Sequence, residues 1–264
     1  MTGLHRIAAA FAQTRADGRA ALMPYLMAGY PNLEATRALV PALAAAGADL
    51  LELGVPFSDP IADGPAIQRA AHAALQQGVT PDDCLRRVHD LRCAGVEIPC
   101  LLMGYYNPIY TVEPAAYARA AREAGADGLI VPDLPVEESA ELAAACRAEG
   151  LALIYLVAPN TPDDRLARIA AAAQGFLYLV SRPGTTGVRE RLPEGLAEYV
   201  ARVRARTDLP LALGFGIGAP AQAREAARLV DGVVVGSAVV ERAGQSVQAA
   251  AGLVQELAHV MRDP

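Results

Sequence analysis

Residues 51–65 read LELGVPFSDPIADGP, a stretch that places one acid, Glu52, inside a short run with the composition of a buried strand. A second acid, Asp63, follows in a loop that is interrupted by three prolines and Gly64. A buried carboxylate is unfavourable unless it is paired, and burial raises its pKa. Two carboxylates in different environments at one mouth of a fold suit general acid–base chemistry. The stretch therefore predicts both a parallel strand and a catalytic site at its end.

Short apolar runs alternate with stretches of helical period on both sides of this segment. The predicted strands are Ala21–Met27, Leu50–Gly54, Pro99–Gly104, Gly128–Val131, Ala152–Val157, Phe176–Val180, Leu209–Gly214 and Gly232–Val235. Several lack polar alternation, as parallel strands covered on both faces do. Eight strand–helix repeats in 264 residues predict an α/β protein with one domain, residues 1–264, forming a closed (β/α)8 TIM barrel. A doubly wound open sheet is the alternative, although the glycine-rich loops fall late in the chain.

The helices are predicted from alanine, leucine and arginine at helical spacing. The clearest crossover helices are Leu33–Ala46, Pro81–Cys93, Ala115–Ala124, Glu137–Glu149 and Asp163–Ala173. Two further helices are expected as additions to the barrel. They are an extra N-terminal helix, Leu4–Thr14, and an extra helix after the second strand, Ala66–Gln77.

The composition narrows the classes of function. A net charge of -6 without a basic block disfavours nucleic acid and an anionic membrane surface as partners. The first twenty residues lack the apolar core of a secretory signal, so we expect a cytoplasmic protein. All 23 basic residues are arginines. The chain therefore has no lysine for a Schiff base, for internal pyridoxal phosphate or for a P-loop.

The cysteines and histidines do not predict a metal site. None of the four cysteines forms a CxxC pair, which favours buried reduced thiols over a disulfide framework or a zinc site. The four histidines all fall in segments of helical period rather than at strand ends, where a barrel would place a metal ligand or a catalytic base.

Strand alternation decides where Glu52 points. Leu50, Glu52 and Gly54 share one face of their strand, and the remaining leucines share the other. If the leucines pack on the outer helices, Glu52 faces the barrel interior near its C-terminal end, where barrel enzymes carry their chemistry. The structural alternative is an ion pair with a core arginine, but no predicted strand contains one. For Asp63 the alternative is a turn or a cap of the helix Ala66–Gln77.

Three late loops have the composition of phosphate ligands. They are residues 181–187 (SRPGTTG), residues 214–218 (GFGIG) and the pair Gly236-Ser237, which follow strands six, seven and eight. Glycine lets a backbone approach an anion, and barrels often bind phosphate after strands seven and eight. Tyrosines near strand ends could line a pocket for a flat apolar group. On these residues alone, isomerisation of a sugar phosphate and cleavage of a carbon–carbon bond beside a protonated indole both remain open.

Five segments, in order along the chain, resemble the tryptophan synthase alpha subunit family. They are residues 52–65 (ELGVPFSDPIADGP), 104–108 (GYYNP), 131–138 (VPDLPVEE), 184–187 (GTTG) and 214–217 (GFGI). The resemblance implies a (β/α)8 barrel and a cofactor-free lyase. Such an enzyme splits indole-3-glycerol phosphate into indole and glyceraldehyde 3-phosphate by retro-aldol chemistry. The resemblance also implies a partner, a beta subunit that joins the chain in an alpha2beta2 complex. This beta subunit receives the indole, and only the beta subunit uses pyridoxal phosphate.

The resemblance also implies roles for single residues. Glu52 matches the acid that protonates indole C3 and helps to deprotonate the glycerol hydroxyl, and Asp63 matches the acid that stabilises the indole nitrogen. The implied substrate-binding residues are Tyr25, Tyr178, Thr186, Gly187, Gly216, Gly236 and Ser237. The implied partner contacts are Asp59, Pro60 and Asn107. Three rival interpretations stay open: a stand-alone lyase that releases free indole, a barrel without activity that only activates a partner, and a sugar-phosphate isomerase.

Three residues depart from the family pattern. Tyr30 stands where an aspartate is common, Gly218 replaces a frequent serine near the phosphate, and Pro183 lies in the loop that is implied to close. We expect the first to affect the partner contact and the others to affect phosphate binding or loop closure.

Overall fold

Eight parallel strands close into one barrel in chain order in the computed structural model, which describes residues 2–181, 192–214 and 216–262. The strands are β1 (Ala21–Met27), β2 (Leu51–Gly54), β3 (Cys100–Met103), β4 (Gly128–Ile130), β5 (Ala152–Val157), β6 (Leu177–Val180), β7 (Leu211–Gly214) and β8 (Gly232–Val235). β1 pairs with both β2 and β8, which closes the sheet. The predicted barrel is confirmed, and the open-sheet alternative is wrong.

Helices surround the barrel in the described part of the chain. They are α1 (Gly3–Ala16), α2 (Leu33–Ala45), α3 (Pro65–Gln76), α4 (Pro81–Cys93), α5 (Tyr106–Thr111), α6 (Pro114–Ala124), α7 (Ala140–Glu149), α8 (Asp163–Ala172), α9 (Leu196–Arg204), α10 (Pro220–Ala227), α11 (Ser237–Ala243) and α12 (Val247–Val260). Both predicted extra helices are present, as α1 and α3. No helix within these described ranges combines the length and the apolar composition that crossing a bilayer would require.

Two helices differ from the prediction. Helix α7 begins at Ala140 rather than at Glu137, because the residues before it form turns in which the Glu138 amide donates to the Pro135 carbonyl at 3.0 Å. Helix α5 was not predicted. It has only six residues, so it is too short for a helical period to show in the sequence.

A buried carboxylate ties α1 and α4 to the N-terminal end of the barrel. Asp127 is fully buried just before β4, and it accepts hydrogen bonds from Arg6 Nε of α1 at 2.6 Å and from Arg92 Nη2 of α4 at 2.5 Å. The backbone amide of Cys100 also donates to it, at 2.7 Å. One acid thus joins two helices to a strand at the face opposite the strand ends that carry Gly54 and Gly214.

Glu113, between α5 and α6, is strained. Its φ is 70° and its ψ is 130°, a region that residues with a Cβ rarely adopt and that costs roughly 1–3 kcal/mol. We expect Glu113→Gly to raise the free energy of unfolding by about 1 kcal/mol, because glycine relieves the backbone strain of the folded state. Glycine also raises the conformational entropy of the unfolded chain, but this offsets only part of that gain. Urea denaturation of the two proteins measures the difference.

The matched control for this prediction is Glu123→Gly, in the last turn of α6. There the backbone is helical, so glycine removes helix propensity without relieving strain and is expected to destabilise the protein slightly. A Glu113→Gly variant that is less stable than the parent chain would show that the backbone at this position is not strained.

Candidate active site

Glu52 lies inside the barrel as a fully buried acid. It sits in β2 between Tyr25 of β1 and Leu101 of β3, and its side chain has 0% exposure. Neither carboxylate oxygen has a hydrogen-bond partner among the residues that the structure describes. The ion pair with a core arginine, considered from the sequence, is therefore absent from those residues. Burial raises the pKa of Glu52 to about 8, so the side chain is mostly protonated at neutral pH.

Asp63 is the second acid at the same mouth. It lies in the loop between β2 and α3 with 5% exposure, and its Oδ2 accepts a hydrogen bond from the Tyr105 hydroxyl at 3.0 Å. Burial raises its pKa to about 6, against the lowering effect of the Tyr105 bond. The residue that caps α3 is Gly64, with no side-chain hydrogen bond, so the cap interpretation of Asp63 is wrong.

Tyr105 is one of the strand-end tyrosines that could line a pocket, but its contact with Asp63 was not predicted from the sequence. Besides donating to Asp63, the Tyr105 hydroxyl accepts from the Ala62 amide at 3.0 Å. Its ring stacks on Phe57 with 5.2 Å between ring centroids. Tyr105 therefore holds both the backbone and the carboxylate of the Asp63 loop. The only sequence signal for this role is its place at the end of the neighbouring strand.

Tyr25 and Tyr178 occupy the barrel interior together with the two acids. The pKa of each tyrosine is raised well above its ordinary value, first by burial and then by the charges of Glu52 and Asp63. Tyr25 is in β1 and Tyr178 in β6, and Glu52 acts on both. The structure therefore brings together four of the side chains that the sequence singled out.

The ring of each of these tyrosines packs against a glycine of the next strand. A Cβ added to Gly54 would lie 2.0 Å from the Tyr25 hydroxyl oxygen, and one added to Gly214 would lie 2.2 Å from that of Tyr178. Both glycines end their strands, β2 and β7. Any larger residue would displace the ring, so Gly54 and Gly214 shape the pocket, a role that the sequence interpretation missed.

The structure describes three of the residues that are expected to bind phosphate, Gly216, Gly236 and Ser237. Gly216 has a φ of 97°, which favours glycine, and Ser237 is buried at the start of α11. A Cβ on Gly236 would lie 3.7 Å from the Cβ of Tyr25, so the end of β8 borders the tyrosine pocket. The backbone amide of Gly218 donates to Gln222 Oε1 at 3.1 Å. Thr186, Gly187 and Pro183 lie outside the described residues.

The three expected partner contacts lie on two adjacent segments at the rim. Asp59 and Pro60 are in the β2–α3 loop, and Asn107 is exposed on α5. Among the described residues, the large exposed hydrophobic side chains are on the same two segments. They are Ile61 (76% exposed), Tyr110 (64%) and Val112 (52%). Tyr30, by contrast, packs with its hydroxyl towards Gly244 at the end of α11.

Curated relatives match nearly the whole chain. A family model described as tryptophan synthase alpha chain covers residues 11–263. The tryptophan synthase alpha chain of Roseiflexus sp. (strain RS-1) is 53% identical over 259 residues, covering 96% of this chain and 99% of the relative. That of Chloroflexus aurantiacus (strain ATCC 29364 / DSM 637 / Y-400-fl) is 50% identical over 268 residues, covering 99% and 100%.

Solved structures agree with the relatives. A chain of tryptophan synthase from Mycobacterium tuberculosis has a TM-score of 0.92 and 40% identity, covering 98% of this chain and 99% of that chain. Tryptophan synthase subunit alpha from Legionella pneumophila str. Paris has a TM-score of 0.91 and 37% identity, covering 98% and 99%. Fold and sequence thus agree over almost the full length, and the chain belongs to the tryptophan synthase alpha chain family.

Proposed function

We propose that this chain is a carbon–carbon lyase of tryptophan biosynthesis, which cleaves indole-3-glycerol phosphate to indole and glyceraldehyde 3-phosphate. Membership of the family supports the reaction and the substrate. The observation that carries the chemistry is the fully buried Glu52, whose carboxylate has no partner in the described part of the chain. An acid kept protonated in this way has a proton to give at neutral pH.

Glu52 serves as the proton donor and acceptor of the retro-aldol step. Its acid form protonates indole C3, which turns the ring into an electron sink. The carbon–carbon bond then breaks, and its electron pair returns to the ring as the glycerol hydroxyl loses its proton and becomes the aldehyde. Proton uptake at C3 and proton loss at the hydroxyl balance, so one carboxyl group can serve both. The pKa of about 8 supports this role.

Asp63 serves a different role because its environment is different. With a pKa of about 6 it is mostly ionised at neutral pH, so it can accept the indole N–H and stabilise the positive charge that develops on the ring. Tyr25 and Tyr178 supply the apolar walls for the indole. Two acids with separated pKa values in one pocket are the pattern expected of a divided acid–base task.

The phosphate end of the substrate is assigned to the loops after β6, β7 and β8. The proposed residues are Thr186, Gly187, Gly216, Gly236 and Ser237. The positive φ of Gly216 and the closeness of Gly236 to Tyr25 support this assignment. A single small substrate could then reach from an anion bound at these glycines to the tyrosine pocket. The proposed step uses protein side chains only, and we assign no cofactor to this chain.

The proposed partner is a tryptophan synthase beta subunit, in which pyridoxal phosphate would act, in an alpha2beta2 complex in the cytoplasm. Asp59, Pro60 and Asn107 are the proposed contacts. Three exposed apolar side chains, on the same loop, on α5 and directly after α5, support a docking surface there, because exposed apolar residues grouped with a polar rim are typical of interfaces. We also propose a single domain over residues 1–264, since α1 and α12 both contact β1.

Indole release from indole-3-glycerol phosphate, measured for the purified chain with and without a beta subunit, tests the proposal. We expect slow cleavage by the chain alone and strong activation by the partner. Full activity without the partner would instead identify a stand-alone lyase. No cleavage in either condition would overturn the proposed reaction. If the chain then still increased the activity of the beta subunit, the interpretation as a barrel that only activates a partner would be favoured. Turnover of an aldose phosphate without indole release would identify an isomerase.

A further inference from the structure

The loop after β4 holds the start of helix α5 in place. Asp133 in this loop accepts the backbone amide of Tyr106, with its Oδ1 at 3.0 Å and its Oδ2 at 3.2 Å from the nitrogen. Tyr106 is the first residue of α5, and the preceding residue makes no side-chain cap bond. A carboxylate satisfies the free amides at a helix start and interacts favourably with the positive end of the helix dipole. Asp133 therefore fixes the point at which α5 begins.

The residue immediately before this point carries the link to the site. Tyr105 precedes α5, and its hydroxyl lies 3.0 Å from both Asp63 Oδ2 and the Ala62 amide. Hydrogen bonds weaken steeply once their length and angle depart from these values. A displacement of the α5 start by a fraction of an ångström would thus reach the Asp63 carboxylate through the rigid phenol ring.

We propose that Asp133 is a positioning residue for the reaction proposed above, acting through the start of α5 and the Tyr105 hydroxyl on the Asp63 carboxylate. Asp133 itself is at the rim and accepts from a backbone amide, so its effect on the reaction is indirect. The motif Val131-Pro132-Asp133 accordingly has a function beyond ending a strand. The inference rests on the proposed function only for the catalytic meaning of Asp63, because the chain of contacts is a property of the fold.

The titration of Asp63 is the natural readout of this chain of contacts. Among the described residues, the titratable groups that interact with Asp63 are Tyr105, by a hydrogen bond, and Tyr25 and Tyr178, whose pKa values the charge of Asp63 raises. Of these, the Tyr105 bond favours the charged form of Asp63 and lowers its pKa. If the bond is lengthened or lost, burial acts unopposed, and the pKa of Asp63 rises further above its ordinary value.

The experiment compares Asp133→Ala, Asp133→Asn and Tyr105→Phe. The carboxyl pKa of Asp63 is followed by ¹³C NMR in protein labelled at the aspartate carboxyl carbon, with Asp63→Asn to assign the signal. We expect Asp133→Ala to raise the Asp63 midpoint by about 0.5 to 1 pH unit, as Tyr105→Phe does, since that is the shift that one hydrogen bond produces. Asn keeps one acceptor oxygen, so Asp133→Asn is expected to lie in between.

The matched control is Glu138→Ala, which removes a negative charge that acts on Tyr106 from the same loop and makes no described hydrogen bond to the α5 start. We expect it to leave the Asp63 midpoint unchanged. In the double variant Asp133→Ala/Tyr105→Phe, the effect of Asp133→Ala is expected to vanish, because the contact through which it acts is gone.

Activity gives the second readout. The acidic limb of kcat/KM for indole-3-glycerol phosphate is expected to move upward in Asp133→Ala with the NMR midpoint, and not in Glu138→Ala. An unchanged Asp63 midpoint in Asp133→Ala, an equal shift in Glu138→Ala, or full additivity in the double variant would each overturn the proposal. A parent chain that does not cleave the substrate would refute the proposed function alone, because the NMR titration still decides the positioning role.

Discussion

Replacing Glu52 with glutamine is expected to lower indole-3-glycerol phosphate cleavage by about 10²- to 10⁴-fold, the usual contribution of a general acid or base. Glutamine has nearly the same shape but carries no transferable proton, so the substrate would still bind while C3 stays unprotonated. The measurement is steady-state indole release, in which we expect kcat to fall far more than KM changes. Near-normal turnover would remove Glu52 from the proposed chemistry.

The same substitution has a second expected effect, on stability. The pKa of Glu52 is about 8 when folded and ordinary when unfolded, so the folded state binds more protons between these values. Stability is therefore lost as the pH rises from about 4.5 towards 8, with a slope of up to about 1.4 kcal/mol per pH unit. Glu52→Gln is expected to remove this contribution, which denaturation midpoints measured between pH 6 and 8 would show, because the raised pKa of Asp63 contributes mainly below about pH 6.

Glu256→Gln, an exposed position near the end of α12, is the control for both effects. We expect it to retain the parent activity and the parent dependence of stability on pH. A slope between pH 6 and 8 that is the same in Glu52→Gln as in the parent chain would show that Glu52 ionises in the folded protein at its ordinary pKa, and the proton-donor assignment would then lose its physical basis.

Replacing Asp127 with asparagine is expected to lower the free energy of unfolding by about 2 to 4 kcal/mol, because it leaves two guanidinium groups facing a neutral amide in a buried place. Arg6 and Arg92 both bond to this carboxylate, and a single amide oxygen cannot replace two charged acceptors. Urea denaturation measures the loss. Since α1 is held through Arg6, we expect hydrogen exchange in this helix to increase most.

Asp164→Asn is the matched control for this prediction. Asp164 pairs with Arg168 at 3.5 Å on α8, but its side chain is 78% exposed. Exposed pairs contribute little because solvent screens them, so a change within about 0.5 kcal/mol is expected. If the two variants were equally stable, the contacts of Asp127 would contribute no more than a surface pair.

The barrel could be predicted because its signals are local. Each strand and crossover helix carries its own periodicity, and the eight predicted strands match the observed ones to within two residues at either end. The inward face of Glu52 also follows from local geometry, since alternation along a strand needs only the neighbouring leucines. The prediction missed the short helix α5, which has too few residues to show a helical period. It also placed the start of α7 too early, because the residues before Ala140 form turns instead of continuing the helix.

The contacts that make the pocket could not be predicted in this way. Tyr105 meets Asp63 across 42 positions of sequence, and Tyr25 meets Gly54 only because β1 and β2 pair in one register. Asp127 finds its two arginines on separate helices. Such contacts depend on how the closed sheet staggers its strands, which no local pattern encodes. The order of residues thus decides the barrel and which acid faces inward, whereas the proton affinities of the two acids arise only when distant segments bury them.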